Sequence, residues 1–327
     1  MKKIIILICA IVIIISAAIF FNKKDCKDLK KIKVAEVTHS IFYTPMYVSD
    51  ALGYFKDEGL DVQIILTSGA DNVAASVMSG DVQIGFCGSE QSIYIYNEGA
   101  KDYLVNFAGL TKRDGSFLVS REKDDNFEIS HLIGKDIIGG RKGGMPAMTL
   151  AYTLHEAGIK EDQVNIDTSI AFASMSGAFI GGIGDYVTLF EPNASQIEKM
   201  GYGYIVASVG DMGGVVPYTA FNTKKSYIKN NPDVIKKFTS AIQKGLDYTF
   251  SHSDEDLAKL ITDYFPDTSY NDLVNTIKNY RNIDSWNKTT YISKDGFEHI
   301  EEIMKYNKVL DKEAPYKLLV DNTYNHE

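Results

Sequence analysis

The chain has 327 residues, 34 Lys and Arg against 43 Asp and Glu, a formal net charge of -9, and 45% apolar against 24% charged residues. Those proportions belong to a globular chain and exclude wholesale disorder. Residues 1–31 hold seven Lys and two Asp, which leaves -14 on the remainder, and a grip on nucleic acid, which needs a basic face, is disfavoured there.

Lys2 and Lys3 precede an uncharged apolar run over residues 4–21, the pattern of an export signal or membrane anchor and not of the fold itself. At about 1.5 Å per residue this run spans roughly 27 Å, enough for a hydrocarbon core. Ser16, Ala17 and Ala18 offer a cleavage point, whereas Ile19, Phe20 and Phe21 prolong the run as a retained anchor would. Cys26 adds lipidation as a third option, against which stand Lys23, Lys24 and Asp25 just before it. Under each option the two lysines favour a cytoplasmic amino terminus and an exported body. Besides Cys9 and Cys26 only Cys87 occurs, so the body has no disulfide framework. The six His are scattered, without the i, i+4 spacing beside a carboxylate that a zinc site uses.

A body of about 300 residues suits two domains, since single cores stop growing near 250 to 300 residues. From Lys33 onward, short apolar strands at 32–37, 62–66, 82–86 and 104–108 alternate with amphipathic helical patterns. This is the rhythm of a mainly parallel sheet with helices on both faces. A second series follows, with strands at 136–139, 164–168, 186–190 and 204–207 and helices at 147–157 and 192–200. Beyond Asn222 the pattern becomes helix after helix, at 233–250, 255–264, 270–280 and 294–307. No Pro-rich linker separates the two series, which predicts two domains joined by strand-like crossovers, at 116–121 and 216–223, with the late helices packing back on the first sheet.

Four motifs in order carry a family resemblance. They are Tyr43-Thr44-Pro45-Met46-Tyr47 running into Gly53-Tyr54-Phe55 and Gly59-Leu60-Asp61-Val62; Gly80-Asp81-Val82-Gln83-Ile84-Gly85; the glycine-rich stretch Gly139-Gly140-Arg141-Lys142-Gly143-Gly144; and Gly184-Asp185-Tyr186-Val187-Thr188-Leu189-Phe190-Glu191-Pro192. Over residues 33–307 the chain resembles ABC-importer solute-binding proteins of the nitrate, sulfonate, taurine and thiamine-precursor group. The resemblance implies an α/β, two-lobed type II periplasmic-binding-protein fold, each lobe a mainly parallel sheet flanked by helices. Residues 1–31 would be the signal or anchor, 32–119 with 221–327 the first lobe, and 120–220 the second. It further implies a monomer outside the cytoplasm that captures a small organic solute by hinge closure and delivers it to an ABC permease and its ATPase. No cofactor and no catalysis are called for.

Candidate ligand contacts follow from position. In open α/β sheets ligands bind beyond the carboxyl ends of strands, where helix amino termini present free N–H groups. Ser89 and Glu90 follow the third strand, with Ser89 either a helix cap or a cleft residue. Gly143, Gly144 and Met145 precede Pro146 at a helix start, where paired glycines let backbone N–H groups approach an anion or a carbonyl, or simply make the turn. His39, Phe42 and Tyr43 follow the first strand, and aromatic faces there suit a flat ring. Thr111 with Lys112 and Arg113, and Arg141 with Lys142, are either solvated or an anion clamp. Glu191 either accepts N–H groups from a ligand or favours the helix that begins at Pro192. Ser174, within 171–176, and Tyr218 complete the set.

Two other classes fit less well. No Gly-x-Ser-x-Gly elbow is present, and pyrimidine-precursor synthases of yeast type, which share the fold, carry a cysteine-rich motif where this chain has only Cys87. An effector-sensing regulator would need a DNA-binding helix-turn-helix where the chain has an apolar segment. The solute itself stays open between sulfonates such as taurine, nitrate-like anions, and heteroaromatic vitamin precursors.

Overall fold

A computed structural model describes residues 29–67 and 69–325. The sequence reading of Lys2, Lys3, the apolar run 4–21 and Cys26 lies outside the described residues. Ten strands form two five-stranded sheets. The first contains β1 (Lys30–Glu36), β2 (Leu60–Leu66), β3 (Ile84–Cys87), β4 (Leu104–Thr111) and β10 (Thr219–Lys224), in the order β2-β1-β3-β10-β4. The second contains β5 (Ser116–Ser120), β6 (Asp136–Ile138), β7 (Asn165–Asp167), β8 (Tyr186–Phe190) and β9 (Tyr204–Ser208), in the order β7-β6-β8-β5-β9. In each sheet four strands run the same way, and the fifth, β10 in the first and β5 in the second, runs against its neighbours.

These antiparallel strands differ from the crossovers expected at 116–121 and 216–223. Most of each stretch is a sheet strand: β5 pairs with both β8 and β9, and β10 with both β3 and β4. Every residue of β5 is buried, and a buried backbone must have its N–H and C=O groups paired, which a bare hinge would not do. The true passages between sheets are therefore residues 112–115 and 209–218, each just before the antiparallel strand, and only 216–218 falls within an expected stretch.

Ten helices of six residues or more that matter here are α1 (Thr44–Ala51), α2 (Ala70–Ser79), α3 (Glu90–Asn97), α4 (Met145–Glu156), α5 (Met175–Ile180), α6 (Asn193–Lys199), α7 (Pro232–Ser251), α8 (Asp254–Ile261), α9 (Tyr270–Asn282) and α10 (Lys294–Tyr306). In the first lobe β3, a central strand, and β4, at the sheet edge, are both buried along their whole length, as strands covered on both faces must be. Phe86 of β3 stacks on Phe221 of β10 at 4.3 Å between ring centroids, and Phe238 of α7 meets Phe221 at 5.0 Å. The chain's end lies along β4: Val320 bridges Asn106, and Asn325 Nδ2 donates to the Phe107 carbonyl at 2.9 Å, which covers a sheet edge that would otherwise be open.

Of the late helices, α7 and α8 pack on α1 of the first lobe. The last, α10, also reaches the second: Tyr306 stacks on His155 of α4 at 4.4 Å, and Asn307 Nδ2 donates to the Met148 carbonyl. The α7–α1 contact depends on Gly245. A Cβ there would stand 2.0 Å from Ser49 Oγ and 2.3 Å from the Pro45 carbonyl oxygen, while Ser49 Oγ itself donates to the Pro45 and Ala241 carbonyls. Gly245→Ala is expected to push the helices apart and destabilise the fold by about 1–3 kcal/mol, as core overpacking does, read as a lower urea midpoint. An unchanged midpoint would show that the helices separate at no cost.

Candidate functional site

The carboxyl ends of β3 and β4, the amino end of antiparallel β10 and the end of β8 meet where the two passages cross. Phe42 stands at this junction, in a short 3-10 turn, Ile41–Tyr43, whose amino end is capped by Ser40 Oγ accepting from the Phe42 N–H. Its ring has four aromatic neighbours from four parts of the chain. Tyr43 lies at 5.6 Å between centroids, Phe190 from the end of β8 at 5.9 Å, Tyr218 from the return passage at 6.0 Å, and Tyr280 from α9 at 4.7 Å. Trp286 Nε1 donates to the Phe42 carbonyl at 2.8 Å and fixes the backbone from behind. Gly115, in the first passage, makes this convergence possible, because a Cβ there would lie 2.8 Å from the Phe190 ring and 2.9 Å from the Phe42 ring.

Two carboxyl groups border the aromatic rings. Glu90 begins α3 and is 4% exposed; Oε1 accepts from Gln91 Nε2 at 3.3 Å, and Oε2 is buried without a hydrogen-bond partner. Burial raises its pKa above the ordinary value, against its own backbone N–H, the Gln91 side chain and, least, Arg141. Asp114 is 1% exposed; Oδ1 accepts from the Ser116 N–H at 2.7 Å and from Ser116 Oγ at 2.5 Å, and Oδ2 has no bond within 3.5 Å. Burial raises this carboxyl's pKa too, against the two Ser116 bonds and the nearby Tyr218 hydroxyl. Tyr218 is pushed well above its ordinary pKa, first by burial and then by Asp114, Tyr43 and Glu90. Tyr43 is raised as well, mainly by burial, with its hydroxyl beside Thr219. Burial and Glu90 lift Tyr94, one turn into α3, to about 12.

Of the residues singled out from sequence, Phe42, Tyr43, Glu90 and Tyr218 are gathered here. Ser89 is adjacent and fully buried, but its hydroxyl neither caps α3 nor stands free: it donates to the Pro217 carbonyl and ties the β3–α3 loop to the return passage. Thr111 ends β4 with its Oγ1 buried and unpaired. Met145 is the buried first residue of α4, with Gly144 at its N-cap and Gly143 at φ 72° before it.

The other residues have partners elsewhere. His39 Nδ1 meets Glu36 at 2.9 Å and Nε2 the Tyr264 carbonyl at 2.8 Å, and the ring stacks on Phe265 at 4.6 Å. Arg113 Nη1 donates to the Gly210 carbonyl at 3.4 Å and faces Asp211 at 3.9 Å, with its Nε buried and unpaired, while Lys112 pairs with Asp284 at 2.6 Å. Arg141, at the rim, pairs across the lobes with Asp71 of α2 at 3.4 Å. Both Glu191 oxygens are occupied: Oε2 accepts from the Ser195 N–H at 3.0 Å, and Oε1 from Ser195 Oγ at 2.7 Å and Asn279 Nδ2 at 2.5 Å. The carboxylate thus holds the start of α6 and ties it to α9. Ser174 is exposed at the start of α5 and makes no cap bond.

Sequence reasoning passed over Asp114, Gly115, Phe190 as a ring contact, and Tyr280. The signal for the first two was local: Asp-Gly-Ser after a long buried strand is the composition of a side-chain-closed turn. Tyr280 had none, because α9 meets the junction only in three dimensions. Among the described residues no group of three or more His, Cys, Asp or Glu is placed to hold a metal ion. The Cys87 thiol is buried, its pKa raised by burial and by Glu90, and it accepts from Asn222 Nδ2 at 3.3 Å; such a thiol is a poor nucleophile.

Known proteins resemble the chain at several levels. YtlA of Bacillus subtilis (strain 168), which bears the provisional name of a binding protein, is 43% identical over 310 residues, 94% of this chain and 93% of that one. The 4-amino-5-hydroxymethyl-2-methylpyrimidine phosphate synthase of Candida albicans (strain WO-1) is 25% identical over 233 residues, 65% of each chain. Among solved structures, the alkanesulfonate-binding protein SsuA from Xanthomonas axonopodis pv. citri, bound to MOPS, superposes with a TM-score of 0.71 at 12% identity, covering 90% of this chain and 99% of that one. This last likeness shows the periplasmic-binding-protein fold. Residues 41–256 match the family described as NMT1/THI5 like, and with the long match to YtlA this shows that the chain belongs to that family.

Proposed function

We propose that the chain is the extracytoplasmic solute-binding component of an ABC importer, which captures a small organic solute between its lobes and presents it to a permease and its ATPase. The observation that carries this reading is the meeting of both lobes and both passages on Phe42, beside two buried carboxyl groups with unpaired oxygens. A solute touching both lobes stabilises the closed form by its differential contacts, and that form is what a permease reads. The aromatic walls favour a flat or partly apolar body, which places heteroaromatic solutes beside the sulfonate and taurine classes as candidates. Such a receptor acts as a monomer, tethered or released according to the fate of its amino-terminal segment.

The reading is tested by fractionation. The full-length protein is expected outside the cytoplasm or with membranes in its native host, and a chain lacking residues 1–22 is expected to be soluble and folded. Recovery of the full-length protein from the cytoplasm would count against export and against the importer role.

A further inference from the structure

We propose that the pole of the first lobe opposite the Phe42 junction is a docking surface for anionic lipid, which holds the body to a membrane by its lysines. The inference goes beyond the importer reading and makes no use of the solute. Strands β1, β3 and β4 run towards the junction and antiparallel β10 runs away from it, so residues 30–33 at the start of β1 and 224–237, from the end of β10 into α7, lie at the far end of the sheet. Lys30 Nζ donates to Asn231 Oδ1 at 2.8 Å and joins the two segments. Gln83, just before β3, stands between them, its side chain accepting from the Lys33 N–H and its carbonyl from the Thr223 hydroxyl. Together the segments hold eight Lys and a single acid, Asp233. All of these lysines except Lys224 are exposed. Asp57, Asp61 and Asp81 border the patch, and Glu58 there is taken by Lys244 at 2.7 Å.

The charge balance of the whole body gives this patch a direction. Residues 32–327 carry -14, so an anionic surface attracts the lysine pole and repels the rest, which fixes an orientation. The chain outside the described residues points to lipid as the occupant. It enters the fold at this same pole, through Lys30, after the apolar run 4–21 and Lys23, Lys24 and Lys27. Residues 22–29 reach at most about 28 Å when extended, so a retained run keeps the patch beside the bilayer at high effective concentration. Lysines act on headgroups only within roughly a Debye length, about 8 Å at physiological salt, and high salt therefore breaks the contact. The docked pose is a resting one, since presenting the cleft to a permease requires the body to tip over its tether.

The test brings the full chain, by detergent dialysis, onto vesicles of mixed phosphatidylglycerol and phosphatidylcholine or of phosphatidylcholine alone, and follows lysine acetylation by mass spectrometry. With phosphatidylglycerol present, rates at Lys31, Lys33, Lys229 and Lys237 are expected to fall about threefold or more relative to Lys142 and Lys160 of the second lobe, and to recover in about 0.5 M NaCl. In Lys229→Gln, Lys236→Gln and Lys237→Gln combined, with circular dichroism unchanged, the protection of Lys31 and Lys33 should be largely lost. Equal rates on the two kinds of vesicle overturn the inference, as does protection of the second lobe in place of the pole or protection that survives in the triple variant. Protection by a short DNA duplex as strong as by the charged vesicles would mark a generic polyanion surface and overturns the assignment to lipid. Each of these failures leaves the solute-binding reading standing, because none of the measurements involves the cleft.

Discussion

Phe42→Ala is expected to lower the stability of the folded chain by about 3–5 kcal/mol, the range for truncating a large buried aromatic. The ring is 1% exposed and touches rings from the first lobe, the second lobe, the return passage and α9, so little backbone can collapse into the space it leaves. Phe42→Leu keeps most of the apolar volume and should cost less than the alanine variant. Both changes remove the flat face that would meet a solute. The separate contribution of solute contact is read at Tyr43, where Tyr43→Ala is expected to weaken solute binding by about 1–3 kcal/mol in calorimetry. Urea unfolding distinguishes the two effects: a Phe42→Ala midpoint equal to that of the parent would mean that the junction is not a packing centre.

The ligand-free protein is expected to lose stability as pH rises from the acid side towards neutrality. The sign follows from which state binds more protons. Glu90 and Asp114 have pKa values raised by burial above their ordinary 4.5 and 3.8. Above those ordinary values the unfolded chain has released these protons while the folded chain still holds them, so stability falls with pH until the folded carboxyls ionise, and is level beyond. His39 adds to the same trend. Its pKa is raised from 6.5, first by the bond to Glu36, and its contribution is complete below 6.5 and lost as pH climbs through the folded value.

On the acid side Glu58 and Glu313, lowered by lysine partners, lose their contribution as pH falls through their folded values. Glu90→Gln and Asp114→Asn should therefore flatten the decline and stabilise the ligand-free chain near pH 7, each by roughly 1–3 kcal/mol, the penalty of an unsatisfied buried group. A melting temperature that rises between pH 4.5 and 7 in the parent, or falls at pH 7 in both variants, would contradict the assignment.

Much of the fold was legible because burial writes periodicity into the chain. Strands such as β2, β8 and β9 appeared near their final bounds as short apolar runs between turn residues, and α7 to α10 as long amphipathic stretches. The exchange of β5 and β10 between sheets was harder to read. Ser116–Ser120 has the composition of any short buried strand, and nothing local says that its two neighbours come from 186–190 and 204–208. Of the site, the aromatic pair Phe42 and Tyr43 was visible from its position after a strand. Among the charged residues, one reading of Glu191, that it favours the helix after Pro192, matches its bond from the Ser195 N–H, while its tie to Asn279 of α9 was not visible. Arg141, Arg113 and Lys112 find partners on segments remote in sequence, whereas Asp114, close to those cations in sequence, is buried beside Tyr218. Partner choice among charges is set by tertiary packing, and no spacing rule reports it.

The central claim is that a solute closes the lobes on each other at the Phe42 junction. Small-angle X-ray scattering of the full chain, stripped of bound solute by unfolding and refolding and then equilibrated with the dialysable low-mass fraction of a cell extract, tests it most directly. The account predicts that a low-mass compound is retained and that the radius of gyration contracts as it binds. Retention without contraction, or no retained compound at all, would contradict it.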